Sequence, residues 1–300
     1  MKIGIIGAGK VGTSLGKYFC EHNIPVVGYY SKSIASAQAA ADFTKTDAVS
    51  SMEDLVNASD TLFLTTGDSA ISEVWKVLKN LPIENKIICH CSGSLSSSIF
   101  SEERPNTITR CSAHPLLSFP DRKTGSKLLA NAVITLEGDG SRFSEMEALW
   151  KGLGNRVQTI DQTQKALYHC AAVTVSNHVL ALLDWGVALL ARCGFDREQA
   201  LSALSPLIRG NVDAALAQGI SAALTGPVER CDTETVLEHL HSLENAPKEQ
   251  QLYGLLAQRL VDLAAEKHPK RDYSELRTIL EMCIRDRHYC AGRRLRNGCR

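Results

Sequence analysis

The stretch Lys2–Gly12, KIGIIGAGKVG, decides how this chain folds. Ile3, Ile5 and Ile6 make a short apolar run that reads as a buried strand. Gly7-Ala8-Gly9-Lys10-Val11-Gly12 follows as a G-x-G-x-x-G turn, and residues 11–21 continue as a helix. Strand, glycine turn and helix in that order are the context that gives the pattern meaning. Gly7 permits a tight turn, Gly9 lets a diphosphate approach the backbone, and Gly12 lets helix and strand pack closely. The helix start offers free N–H groups and the positive end of its dipole. The stretch therefore predicts a dinucleotide site.

Outward from it, strands are expected at 25–30, 61–66, 86–91, 107–113, 132–136 and 156–160, with helices at 33–43, 52–58, 70–78 and 143–153 between them. Strands separated by helices of about ten residues predict parallel βαβ units and a doubly wound sheet. After Asp161 the pattern changes. Residues 164–193 are apolar and rich in Ala and Leu, lack proline, and hold one interior glycine, Gly186, which predicts one long helix. Further helices are expected at 197–204, 206–218, 233–242 and 248–265, broken at Gly194, Thr225-Gly226-Pro227 and Ala246-Pro247. The expected fold is α/β: an N-terminal Rossmann doubly wound parallel sheet over 1–160 and an all-helical domain over 161–281.

With 300 residues, 44% hydrophobic and 22% charged, the chain suits two folded globular domains rather than a disordered polymer. No apolar run is read as reaching bilayer length and the N-terminus shows no secretory pattern, so a cytoplasmic location without membrane contact is expected. Ten cysteines lie mostly in apolar segments, as reduced thiols do. Cys89-His90-Cys91 with Cys111 and His114 has no second pair at zinc spacing, and no metal is expected. The formal charge is zero, but the last eighteen residues hold six Arg and one Asp, leaving about −5 elsewhere (27 basic minus 32 acidic). MCIRDR (282–287) resembles translated sequencing-adapter sequence. Residues 282–300 are therefore expected to be a non-native basic tail, and no nucleic-acid partner is read from them.

The end of the second strand bears on the cofactor. NAD binders usually place an acid there for the ribose 2′-hydroxyl. This chain has Tyr30-Ser31-Lys32-Ser33 and no acid until Asp42. Hydroxyls and a cation suit a 2′-phosphate, so NADP(H) is expected. Thr65 and Thr66 follow another strand and are expected to line the nicotinamide half.

Hydride transfer to a carbonyl needs a proton donor and a hold on the substrate. Ser92 and Gly93 leave one strand, and His114 ends another; all three are candidate substrate-binding residues. Lys165 and His169 open the long helix. At about 100° per residue they lie about 40° apart, one turn from each other, on a stripe shared with Ala172 and Ser176. Lys165 is the candidate acid for a developing alkoxide, and His169 is expected to bond the same oxygen or the lysine. Asn177 stands about 120° round the helix and is a weaker candidate.

The glycine turn, Tyr30–Ser33, HCSGSLS (90–96), SAHPLLSFP (112–120), KALYHCAAVTVSN (165–177) and ALTGPVERCD (223–232) together resemble a group of Rossmann-like proteins with a helical C-terminal domain. That group includes an alternative ketopantoate reductase. It lies in the superfamily of 6-phosphogluconate dehydrogenase, 3-hydroxyisobutyrate dehydrogenase and pyrroline-5-carboxylate reductase, and the resemblance spans residues 1 to about 280. It implies that Lys165 carries the chemistry, that His169 stands where the hydroxyacid dehydrogenases have Asn, that Ser92-Gly93 is the serine-glycine loop, and that Arg230 grips a substrate carboxylate. The usual glycine after that arginine is Cys231 here. It also implies a homodimer. The expected activity is NADPH-dependent reduction of a small 2-oxo acid, with 2-dehydropantoate to pantoate as one form. Reduction of another oxo- or imino-acid, and a non-catalytic NADP(H)-binding regulator, are the alternatives.

Overall fold

A computed structural model describes residues 1–100 and 107–285. In chain order it contains β1 (Ile3–Ile6), α1 (Lys10–Glu21), β2 (Val26–Tyr30), α2 (Ile34–Thr44), β3 (Asp47–Ala48), α3 (Met52–Ala58), β4 (Thr61–Leu64), α4 (Asp68–Leu78), β5 (Ile87–His90), a 3₁₀ turn (Ser97–Phe100), β6 (Thr109–Pro115), α5 (Gly125–Leu129), β7 (Val133–Asp139), α6 (Phe143–Gly152) and β8 (Arg156–Thr159). Helices follow: α7 (Lys165–Val175), α8 (Asn177–Arg192), α9 (Arg197–Gln218), α10 (Ile220–Ala223), α11 (Pro227–Arg230), α12 (Thr233–Ser242), α13 (Pro247–Lys267) and α14 (Ser274–Arg285).

The strands form one sheet in the order β3-β2-β1-β4-β5-β6-β7-β8. From β3 to β6 neighbours run parallel, the doubly wound order expected. β7 departs from it by pairing antiparallel with β6. The connector between them holds only the five-residue α5, rather than a full crossover helix on the sheet. Two-residue β3 was not expected. It extends the edge beside β2, where Gly28 leaves no room for a side chain: a Cβ there would stand 2.4 Å from the Asp47 carbonyl oxygen.

Strand alternation divides the core into two layers. Ile5, Phe63, Cys89, Cys111, Ala113, Ile134 and Leu136 face one layer with Phe19 of α1 and Trp150 of α6. Ile6, Leu62, Leu64 and Ile88 face the other with Trp75 of α4 and Phe100. Toward β6 and β7 this second face turns polar, which matters below.

Three helical expectations change. The predicted helix over 164–193 is two helices, because Ser176 leaves helical geometry (φ −114°, ψ −76°) and turns its hydroxyl back to the Ala172 carbonyl at 2.7 Å. Thr174, Ser176 and Asn177 are poor interior helix formers because their side chains compete for backbone hydrogen bonds, and Val175 because it is β-branched. The helices expected at 197–204 and 206–218 are one, α9, with Pro206 inside it. The proline removes one helical hydrogen bond without ending the helix. And the expectation that no apolar run reaches bilayer length is corrected: one stretch, 162–192, is long and apolar enough by composition to cross a membrane.

The chain divides into two compact units, 1–181 and 182 onward. The first thus extends past residue 160, because α7 is anchored on the sheet through buried Lys165. In the second, Val236, Leu240, Val261, Leu276 and Leu280 of α12–α14 form the core, and α11 adds Val228. Glu229 bonds His268, and its backbone oxygen accepts from Arg271 and Tyr273 at 2.6 and 2.7 Å. Helix α14 runs to Arg285 and buries Cys283. The tail expected from residue 282 therefore begins inside a packed helix; its remainder, 286–300, lies outside the described residues.

Candidate functional site

Two groups of residues sit at the carboxyl edge of the sheet in the first unit. One is the glycine turn. Gly7 has φ +111°, and its N–H reaches the Tyr30 carbonyl at 2.8 Å, tying the turn to the end of β2. A Cβ on Gly12 would lie 2.1 Å from the Gly7 oxygen and 2.4 Å from Thr65 Oγ1, so this position admits only glycine. A Cβ on Gly9 would meet nothing within 4 Å. Gly9 caps α1 without a side chain, which leaves the N–H groups of Lys10, Val11 and Gly12 facing outward. Ala8 is buried beneath, and Lys10 is exposed. The Thr65 hydroxyl donates to the Gly7 oxygen at 2.8 Å, while Thr66 Oγ1 is buried without a partner. A crowded inner side, an open outer side and an unpartnered hydroxyl fit a bound dinucleotide.

Of the residues after β2, Ser31 is half-buried and Lys32 exposed. The Ser33 hydroxyl accepts from the Ser36 N–H at 3.3 Å, capping α2. Its acceptor capacity is thereby partly used, which leaves Ser31 and Lys32 as the freer groups.

The second group is a polar strip across β5, β6 and β7. His90 pairs with Ser112, and Ser112 with Glu137; one step along, His114 pairs with Thr135. Because side chains alternate, all five share the face opposite Cys111 and Leu136. His90, Ser112 and Glu137 have no exposed surface. Helix α7 lies over the strip. Lys165 is 2% exposed, and its Nζ donates to Ser112 Oγ at 2.6 Å. Tyr168 Oη bonds His114 Nδ1 at 2.6 Å, the rings meeting edge to face, and Lys165 Nζ lies 5.6 Å from the Tyr168 ring centre.

Burial sets the charges here. It pushes His90 and His114 down to about 4, so both are neutral at pH 7; the nearby Lys165 charge pushes the same way. Burial also lowers Lys165 below the ordinary lysine range, with Glu137 the leading opposing charge. The Tyr168 hydroxyl is raised by its burial. The result is an amine in a dry setting, beside neutral imidazoles, with two N–H bonds beyond the one spent on Ser112.

The other expected residues fall in several places. Ser92 is buried, and its hydroxyl accepts from the N–H groups of Ser94 and Leu95 at 3.1 and 3.0 Å, so it shapes the loop. Gly93 is crowded: a Cβ there would stand 2.7 Å from His169 Nδ1 and 2.9 Å from His114 Nε2. His169 Nδ1 is buried with no partner. His169 thus sits over the Ser92-Gly93 loop and makes no hydrogen bond to Lys165; the lysine reaches Ser112 instead. Asn177 is exposed at the start of α8, bonded to Ser176 at 3.1 Å. Arg230 belongs to the second unit, exposed, with Asp232 at 3.9 Å. Ser112, Glu137 and Tyr168 were not singled out from sequence, and His90 was considered only as a metal ligand and set aside. The signal was available at Glu137, a lone acid inside the apolar run AVITLEGD (132–139).

Residues 1–123 match the model of a Rossmann-like domain, and residues 132–260 match a domain of unknown function, DUF2520. No curated protein matches the chain. Among solved structures, a Thermotoga maritima protein is 25% identical with a TM-score of 0.72, over 88% of this chain and 99% of that one. Plasmodium falciparum pyrroline carboxylate reductase with NADP bound is 16% identical with a TM-score of 0.55, over 89% and 96%. A reductive aminase of Aspergillus terreus, in complex with NADPH and ethyl-5-oxohexanoate, is 18% identical with a TM-score of 0.60, over 93% and 98%. These likenesses cover the α/β sheet and the helical region alike.

Proposed function

We propose that the protein is an NADP(H)-dependent reductase acting on the C=O or C=N bond of a small carboxylate. One observation carries the reading: a buried lysine whose Nζ is held 2.6 Å from Ser112, on the same sheet edge as a glycine turn built for a diphosphate. A regulator that only bound the dinucleotide has no use for a desolvated amine there. The pyrroline carboxylate reductase and the reductive aminase of the same fold support the class, since their structures contain NADP and NADPH.

The N–H groups at residues 10–12 would hold the diphosphate, and Ser31 with Lys32 the 2′-phosphate. A bound nicotinamide supplies hydride. The chain does the rest. Lys165 keeps a proton on its buried Nζ and delivers it to the oxygen or nitrogen that becomes negative as its carbon is reduced. Ser112 fixes the amine. Tyr168, bonded to neutral His114, holds the first turn of α7 on the strip.

The test is NADPH oxidation by the full chain against 2-oxo acids, 2-dehydropantoate among them, and against cyclic imino acids, with NADH in parallel. Turnover on one class, faster with NADPH than NADH, supports the reading. Tight NADPH binding without turnover on any of them leaves only a dinucleotide-binding regulator.

A homodimer belongs to the same proposal. Leu201, Val212 and Leu216 of α9 are exposed on one side of that helix, Leu216 at 82%. The same helix carries Arg197, Glu198, Arg209 and Asp213, which suit water better than a bilayer. A second copy is the occupant that covers such a face. Sedimentation without detergent is expected to give twice the chain mass; a monomer that partitions onto vesicles would contradict this.

A further inference from the structure

Glu137 sits in the middle of β7 with no exposed surface. Its carboxylate accepts from the Ser97 backbone N–H at 2.5 Å and from the Ser97 hydroxyl at 2.9 Å, both neutral donors. A buried carboxylate held only by neutral groups is costly, and such charges are ordinarily matched by a cation. The cation stands across the neighbouring strand. Glu137 is directly opposite Ser112 in the β6/β7 pair, which places their Cβ atoms about 5 Å apart. Lys165 Nζ rests on the Ser112 hydroxyl. Arg110, on the same strand face as Ser112, is engaged by Asp139 at 2.6 and 2.9 Å.

The titratable groups around Lys165 are Cys89 and His90 of β5, Cys91 just beyond it, Asp68 at the start of α4, His114 of β6, Glu137 of β7 and, on its own helix, Tyr168, whose hydroxyl is raised by burial and so stays neutral. His90 and His114 are neutral, buried Cys89 and half-buried Cys91 are thiols held above their usual range by desolvation, and Asp68 is exposed and bonded to Ser94 at 2.6 Å. Of these, Glu137 alone is a buried carboxylate.

We propose that Glu137 is a positioning residue for Lys165: across Ser112 it supplies the counter-charge that keeps the buried amine protonated and seated on the strip. This rests on the reading of Lys165 as proton donor and names the residue that maintains the donor's charge. Each turnover takes one proton from the ammonium, which solvent returns; Glu137 itself exchanges nothing.

The first test needs no substrate. Thermal melting of the full chain is compared for Lys165→Met, Glu137→Gln and the double variant. Removing the lysine alone strands a buried carboxylate, so the double variant is expected to melt above Lys165→Met. A double variant that melts lower than Lys165→Met, by about the Glu137→Gln decrement, overturns the proposal. If Lys165→Met does not fold, folding of the double variant supports it. The second test is the pH profile of kcat on whichever substrate is reduced. Losing the nearby negative charge lowers the amine's pKa, so in Glu137→Gln the basic limb is expected about one unit or more lower. A drop in rate with the limb unmoved overturns the proposal. Coupling in the melts with no reduction of any substrate sustains the charge pair and defeats the reductase reading.

Discussion

Lys165→Met is expected to lower kcat by about 10²- to 10⁴-fold while NADPH binds as before. Methionine keeps most of the length and apolar contact of the lysine stem but has no proton to give. The amine it replaces is buried, below its ordinary pKa range, and fixed by one hydrogen bond to Ser112. A general acid is best when its pKa approaches the working pH, and desolvation moves this lysine in that direction. The glycine turn, on β1 and α1, does not touch Lys165, so cofactor affinity should be spared. Steady-state kinetics with a fluorescence titration of NADPH separates the two effects. Equal loss of binding and rate would show that the substitution disturbs the fold rather than the chemistry.

Gly12→Val is expected to abolish dinucleotide binding, with a loss on the order of 100-fold or more. A side chain there starts 2.1 Å from the Gly7 oxygen and 2.4 Å from Thr65 Oγ1, so the turn must open. Opening it displaces the outward N–H groups of α1, and losing two charge-assisted hydrogen bonds costs about 3–6 kcal/mol. Overpacking adds about 1–3 kcal/mol of destabilisation. Calorimetric titration with NADPH and a melting curve measure both. Gly9→Ala, whose Cβ meets nothing within 4 Å, is the contrast: it should fold normally and weaken binding only through contact with the ligand. A Gly12→Val protein that still binds NADPH would place the dinucleotide elsewhere.

The half of the fold nearest the glycine turn was legible because local rules fix it. Ile3, Ile5 and Ile6 must alternate between two buried layers, and Gly12 must lie against Gly7, whatever the rest of the chain does. The antiparallel return of β7 was not legible, since direction follows from the three-dimensional path of the connector through α5. The break at Ser176 was visible only as a cluster of residues with competing hydrogen bonds, inside a run whose composition is strongly helical.

The candidate site divides in the same way. Lys165 and His169 were placed on one helix stripe by periodicity alone. The bonds that seat the helix on the sheet were not, because Ser112 lies 53 residues from Lys165 in sequence and His114 54 residues from Tyr168. Glu137 becomes meaningful only once the β6/β7 register sets it opposite Ser112. Long-range pairing of this kind has no signature in a single chain's local pattern.

The most direct measurement is a crystal structure of the full chain with NADP⁺. The account predicts the diphosphate against the N–H groups of residues 10–12, the 2′-phosphate beside Ser31 and Lys32, and the nicotinamide on the β5–β6 side of the sheet next to Lys165. A dinucleotide bound elsewhere, or a nicotinamide turned away from that amine, would contradict it.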